Sequence, residues 1–213
     1  MAGGGVSPPT ARERLLAAVT ALCAEQGYAA TSAEQVAART GVPLATFDAN
    51  FADLEGCLAA AVDSILFRVM AALSSNLSLD RAERDSVLLA IKAILELLAA
   101  EPSLTRVSFI SIRQMAPPGL GESLETGARM LSAMLERLAD GVAEAAPPPR
   151  AARAALGGAE AVVRREIVAG RLAQLPRLLP DFVYAATVPF LGQEEALRLV
   201  RRARELLAGT AWV

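Results

Sequence analysis

The side chains from which this 213-residue chain could assemble reactive chemistry are two cysteines, Cys23 and Cys57, and 23 carboxylates, because it contains no histidine. That absence removes the commonest general base, the Ser-His and Cys-His nucleophile pairs and the usual zinc ligand. The carboxylates fall into no paired spacing, and no glycine-rich phosphate loop or metal-ligand spacing stands out. Cys23 shares an apolar helical face with Leu15, Val19 and Leu22, the setting of a buried and inert thiol. Neither cysteine has a basic neighbour in sequence to lower its pKa, so a redox switch is disfavoured. No catalytic activity, metal or cofactor is expected. The chemistry that remains is non-covalent recognition.

One segment is built for such recognition. Ser32 is a good N-cap, and Gln35 three residues on completes a capping box for a short helix reaching about Arg39. Gly41 supplies a tight turn, and Pro43 suits the first position of a second short helix, which runs to about Phe51. A longer helix over Ala11–Gln26, closed by Gly27, supports the pair. This is helix-turn-helix spacing. In that arrangement the second short helix enters the major groove, while the amides opening the first attract backbone phosphate. The same spacing also occurs in ordinary helical bundles, so a pure packing role stays open.

The rest of the chain reads as helix. Alanine and leucine dominate an apolar fraction of 54%, and both are strong helix formers. No run of alternating β-branched residues and no Asn-Gly or Asp-Gly hairpin turn is present. The fold class is therefore all-α. A fourth helix is expected from about Asp53 to Leu73. A fifth, opened by an Asp80/Glu83 capping box, carries Val87, Leu88, Ile91, Ile94, Leu95 and Leu98 up to the Glu101-Pro102 stop. Further helices are predicted at about Ser103–Met115, Glu122–Gly141, Ala151–Ala169, Pro180–Leu191 and Glu194–Leu207. The stretch Ala116–Gly119 breaks the chain, and Pro147, Pro148 and Pro149 form a linker.

The start of the chain, up to residue 10, lacks the basic and apolar regions of a signal peptide and reads as a disordered tail. No run of about 18 uncharged apolar residues is available to span a bilayer. A soluble, cytoplasmic protein without membrane contact is the expectation. The net charge of −2 gives no overall attraction to nucleic acid, so any DNA binding depends on local charge placement.

Residues 12–62 carry a more specific pattern. Arg14-Leu15-Leu16, Glu25-Gln26-Gly27-Tyr28, Thr31-Ser32, Val36-Ala37, Gly41-Val42-Pro43, Thr46-Phe47 and Phe51, followed by Asp53, Glu55 and Leu58, resemble the N-terminal signature of the TetR family of transcriptional regulators almost end to end. A looser likeness to a C-terminal regulatory domain of some members runs through Gly157-Gly158, Leu175-Pro176, Leu179-Pro180-Asp181 and Pro189–Gly192. The resemblance implies a three-helix DNA-reading domain at residues 11–56 and a larger ligand-binding and dimerisation domain at residues 57–213. The implied partners are double-stranded operator DNA, a small apolar effector and a second copy of the chain. Ligand binding would change the spacing of two recognition helices that must engage half-sites about one helical turn apart (~34–36 Å).

Carried over position by position, the resemblance puts Thr31 and Ser32 at phosphate, with Arg39 among the DNA contacts. Leu44, Ala45, Thr46, Asp48 and Asn50 fall at groove-facing positions, while Val36, Val42, Phe47 and Phe51 hold the small core. The chain departs from the family at Asp48, where a phosphate-binding tyrosine is usual, and at Leu54, where a basic residue is usual. Asn50 replaces a common histidine. Over residues 1–58, Arg12, Arg14 and Arg39 face Glu13, Glu25, Glu34, Asp48, Asp53 and Glu55, a net charge of −3. Since duplex affinity comes largely from neutralised phosphates, such a head binds weakly or depends on a specific site. A ligand-binding or protein-interaction module with a degenerate DNA head is the alternative.

For the effector, Phe67, Met70, Phe109, Met115, Met130 and Met134 are candidate pocket-lining residues, and Arg113 and Gln114 candidate polar handles; core packing is the competing use of the apolar ones. For the dimer, the last two long helices of the family point to Gly158, Val162, Val163, Ile167, Phe182 and Ala186, with Gly157, Ala159, Ala185 and Val188 beside them. A monomer core is the competing explanation.

Overall fold

The computed structural model describes residues 8–76, 84–111, 125–133 and 150–209, and all regular structure among them is helical. Helix α1 spans Ala11–Gln26. Thr10 opens it with a capping box: its hydroxyl accepts the Glu13 N–H at 3.2 Å, and Glu13 accepts the Thr10 N–H at 2.7 Å. Thr10 therefore belongs to the helix cap and not to the expected tail, a correction that the Thr-x-x-Glu spacing carries in the sequence itself. Residues 1–7 lie outside the described residues.

After Gly27 (φ 85°) and a 3₁₀ turn at Tyr28–Ala30, α2 covers Ala33–Thr40. The predicted box is present, with the Gln35 N–H donating to Ser32 Oγ at 3.3 Å and the Ser32 N–H to Gln35 Oε1 at 2.9 Å. Gly41 takes the left-handed conformation (φ 68°, ψ 24°) that glycine adopts without steric cost, turning the chain toward α3, Leu44–Asn50. Pro43 stands one residue earlier than expected. Its extended backbone (ψ 147°) makes it the N-cap, and its carbonyl accepts the Thr46 N–H at 2.9 Å. Phe47, Leu15, Val19 and Val36 are sealed between these helices, with the Phe47 and Phe51 rings 5.7 Å apart.

Helix α4, Leu54–Asn76, buries Cys57, Leu58, Ala61, Val62, Ile65, Val69 and Leu73 at three- and four-residue spacing. By length and composition α4 is the one described helix long and apolar enough to cross a membrane, but Glu55, Asp63 and Arg68 interrupt it and its stripe packs on α1 and on α5, Arg84–Ala100. The proposed boundary between residues 56 and 57 falls inside the first turn of α4, and one continuous core runs from Leu15 to Ala203. Head and body share a packing unit.

Glu101-Pro102 does end α5, and α6 follows at Pro102–Arg106. The Thr105 hydroxyl ties the corner by donating to the Leu98 carbonyl at 2.9 Å. Within the helix expected from Ser103, the chain passes into a π-helical stretch at Val107–Ser111, and the remainder to Met115 lies outside the described residues. Helix α7 comprises residues 125–133, where the absent side chain of Gly127 allows close approach; a Cβ there would lie 2.7 Å from Leu66 Cδ2. The Asp80/Glu83 box, the Ala116–Gly119 break and the proline linker lie outside the described residues.

Helix α8, Ala151–Val168, is followed by a 3₁₀ segment at Leu172–Leu178 and by α9, Leu179–Gly209. The two predicted C-terminal helices are the two arms of α9, separated at Gly192 (φ 76°, ψ 171°). The turn after α8 is fixed by Glu166. Its buried carboxylate takes Arg171 Nε at 2.8 Å and Arg165 Nε at 3.0 Å, which holds its pKa below the usual carboxylate range, Arg171 contributing most.

Candidate nucleic-acid interface and ligand groove

Packing Phe47 inward forces the opposite side of α3 into solvent. Leu44, Ala45, Asp48, Ala49 and Asn50 are exposed, and Thr46 is half-buried. The proposed reading positions thus share one outward surface, apart from Thr46 at its edge. Among them Asn50 is turned back on its own helix, its Nδ2 donating to the Thr46 carbonyl at 2.7 Å. The phosphate candidates are more committed than their sequence suggests. Thr31 is buried, and its hydroxyl donates to the Gly27 carbonyl at 2.9 Å. Ser32 spends its oxygen on the α2 cap.

All three arginines of the head are engaged within it. Arg39 forms a two-pronged pair with Glu25, each nitrogen 2.6 Å from a carboxylate oxygen. This hydrogen bonding holds the Glu25 carboxyl below the usual range and raises the Arg39 pKa. Arg12 lies over the Phe51 ring at 5.2 Å, and Arg14 Nη1 is 3.4 Å from the Thr40 carbonyl. Asp48, by contrast, makes no ion pair among the described residues, while Arg39 is taken by Glu25. The role of Glu25 was not foreseen, because the pair joins residues 14 positions apart on different helices.

Both cysteines are buried and free. Burial raises the Cys23 thiol pKa and pushes that of Cys57 up to about 12, so neither is a ready nucleophile. Among the described residues no group of three or more His, Cys, Asp or Glu side chains is placed to hold a metal ion.

In the body, α4 and α7 frame an open groove of about 350 Å³ lined by Asp63, Leu66, Phe67 and Met70 on one side and Thr126, Gly127 and Met130 on the other. Three of the ligand candidates, Phe67, Met70 and Met130, come together here. Phe109 does not; it is half-buried on the π-helical stretch and packs against the core. Arg113, Gln114, Met115 and Met134 lie outside the described residues. Asp63 and Gly127 escaped sequence reasoning, since nothing local announces which face of α4 meets residue 127.

The dimer candidates divide. Gly157 and Gly158 are exposed with open space around them, and Val162, Phe182 and Ala186 are half-buried. Val163 and Ile167, each 2% exposed, belong to the protomer's own core and have no surface left for a partner, which corrects their assignment.

No family model matches the sequence, and no curated protein matches it. Solved structures do. The fatty acid degradation regulator FadR from Bacillus halodurans aligns with a TM-score of 0.71 at 16% identity, covering 86% of this chain and 96% of that one. The transcriptional regulator FadR from Bacillus subtilis, solved in complex with stearoyl-CoA, aligns at 0.70 and 16% identity over 84% and 98%. A TetR-family transcriptional regulator, PfmR from Thermus thermophilus, aligns at 0.63 and 19% identity over 87% and 98%. An all-helical chain with short N-terminal helices set around a glycine turn on a larger helical body, superposable on these proteins over most of its length, has the fold of the TetR-family regulators.

Proposed function

We propose that this chain is a ligand-responsive transcriptional regulator of the repressor type, a homodimer that binds a palindromic operator and is released by a small apolar molecule. The observation that carries the reading is the head, where a glycine turn and a shared aromatic core hold α3 with Leu44, Ala45, Asp48 and Asn50 outward. Such a helix is shaped to lie in a major groove. The exposed small-residue surface at Gly157, Gly158 and Ala161 on α8, with Phe182 and Ala186 on α9, suits close helix packing across a two-fold axis. The groove between α4 and α7 has the size and apolar character of a small-ligand site. A long-chain fatty acyl group is the apolar moiety to try first, because the Bacillus subtilis FadR holds stearoyl-CoA. Occupancy acts only through a difference in affinity between the DNA-bound and released states.

A second reading, a ligand-binding or protein-interaction module with a degenerate head, is favoured by a specific observation. All three head arginines are engaged internally while Asp48 and Leu54 occupy positions where phosphate contacts are expected. Electrophoretic retardation with the DNA upstream of the chain's own gene, across a salt series, separates the two. The repressor reading predicts a retarded species that survives competitor DNA, shows a clear salt slope and dissolves on adding effector. Absence of any sequence preference at low salt leaves the degenerate-head reading.

A further inference from the structure

We infer that Asp48 reads cytosine: on entering the major groove its carboxylate accepts a hydrogen bond from the N4 amino group of one cytosine in each half-site. This rests on the DNA-binding reading above and deepens it. On a helix of about 3.6 residues per turn, position 48 projects between positions 44 and 45. Asp48 therefore lies on the exposed face between Leu44 and Ala45, about 100° around the helix from the buried Phe47. The other exposed polar side chain of α3, Asn50, gives one of its two amide N–H groups to the Thr46 carbonyl. Asp48 has no hydrogen bond or ion pair among the described residues, and Arg39, the arginine of α2, is held by Glu25.

A carboxylate in that place has few chemical options. It repels phosphate, and it accepts hydrogen bonds without donating them. In the major groove the only base-edge donors are the cytosine N4 and adenine N6 amino groups. Adenine sets its amino group beside the N7 acceptor, which opposes a carboxylate, whereas cytosine carries no acceptor on its own groove edge. Guanine offers N7 and O6 and thymine offers O4, all acceptors. Leu44 and Ala45, apolar on either side, suit thymine methyl groups and add no competing polar contact. The result is a head whose negative residue contributes specificity instead of anchoring.

The test is selection from a randomised duplex library with the full-length protein and with Asp48→Asn and Asp48→Ala, followed by sequencing. Circular dichroism verifies that each variant keeps its helices, as an exposed site allows. Wild type is expected to enrich a two-fold symmetric site with one cytosine per half-site preferred about 10- to 100-fold. With Asp48→Asn the preference at that one position moves to adenine, which an amide reads through N6 and N7. With Asp48→Ala the position becomes degenerate while its neighbours persist. If wild type enriches a site and both variants keep the same base at every position, the cytosine inference is overturned and the DNA reading stands. If wild type enriches no sequence, the DNA reading falls and the inference falls with it.

Discussion

Glu25 occupies Arg39, so on the DNA-binding reading Glu25→Gln should strengthen duplex binding although residue 25 gains no positive charge. The pair joins α1 to α2 through two contacts of 2.6 Å, with both side chains about half exposed to solvent. Removing the carboxylate frees one guanidinium per protomer and changes the head's net charge from −3 by one unit. If the freed Arg39 neutralises one phosphate, the slope of log affinity against log salt steepens by about 0.9 per protomer, or about 1.8 for a dimer. Between 200 and 50 mM salt that slope yields an extra gain of about tenfold in affinity. The assay is fluorescence anisotropy of a labelled duplex at four or five salt concentrations, with Glu25→Gln/Arg39→Gln as the control that returns the slope. Fold stability should hardly change, because exposed ion pairs contribute little. An unchanged slope in Glu25→Gln would refute the reasoning, showing that Arg39 does not reach phosphate even when released. Acid does not reproduce the effect at moderate pH. Arg39 depresses the Glu25 pKa, so the pair's contribution is present above the ordinary glutamate range and is lost only as pH falls through the lower folded value.

Val162→Glu should give a monomer of unchanged helicity by light scattering and circular dichroism, whereas Val163→Glu, one residue along and 2% exposed, should lose its fold; a helical dimer in the first case removes α8 from the interface. Glu166 has a folded pKa lowered chiefly by Arg171, so its contribution exists above the unfolded glutamate value and disappears as pH falls through the folded one. Melting temperature followed from pH 7 downward should therefore fall less steeply below about pH 4.5 for Glu166→Gln than for wild type; parallel curves contradict the role given to the Arg171 pair. Native Cys23 and Cys57 should resist a disulfide thiol reagent at pH 8 and react after unfolding, since burial raises both thiol pKa values, that of Cys57 to about 12. Rapid native labelling of either one contradicts that account.

The amino-acid sequence determined what short-range chemistry can determine. The bounds of α1 at Ala11–Gln26, the Ser32/Gln35 box, the left-handed Gly41 and the stop at Glu101-Pro102 follow from hydrogen bonds and torsions spanning about four residues. The inward positions of the head, Val36 and Phe47 among them, follow from helical periodicity. Periodicity could not say which of the neighbours Val162 and Val163 turns into the protomer's own core, because α8 offers apolar and small residues on more than one side and only its contacts with the rest of the body choose. It was equally silent on the π-helical turn after Arg106, and on the groove made when Gly127 brings α7 against Leu66 of α4. The charge of the head shows the difference most directly. Its three arginines and six acids were countable along the chain, but whether Arg39 is free depends on Glu25 reaching it from another helix. Such pairing decides which charges are left free for a partner, and it exists only once α1 and α2 are packed together.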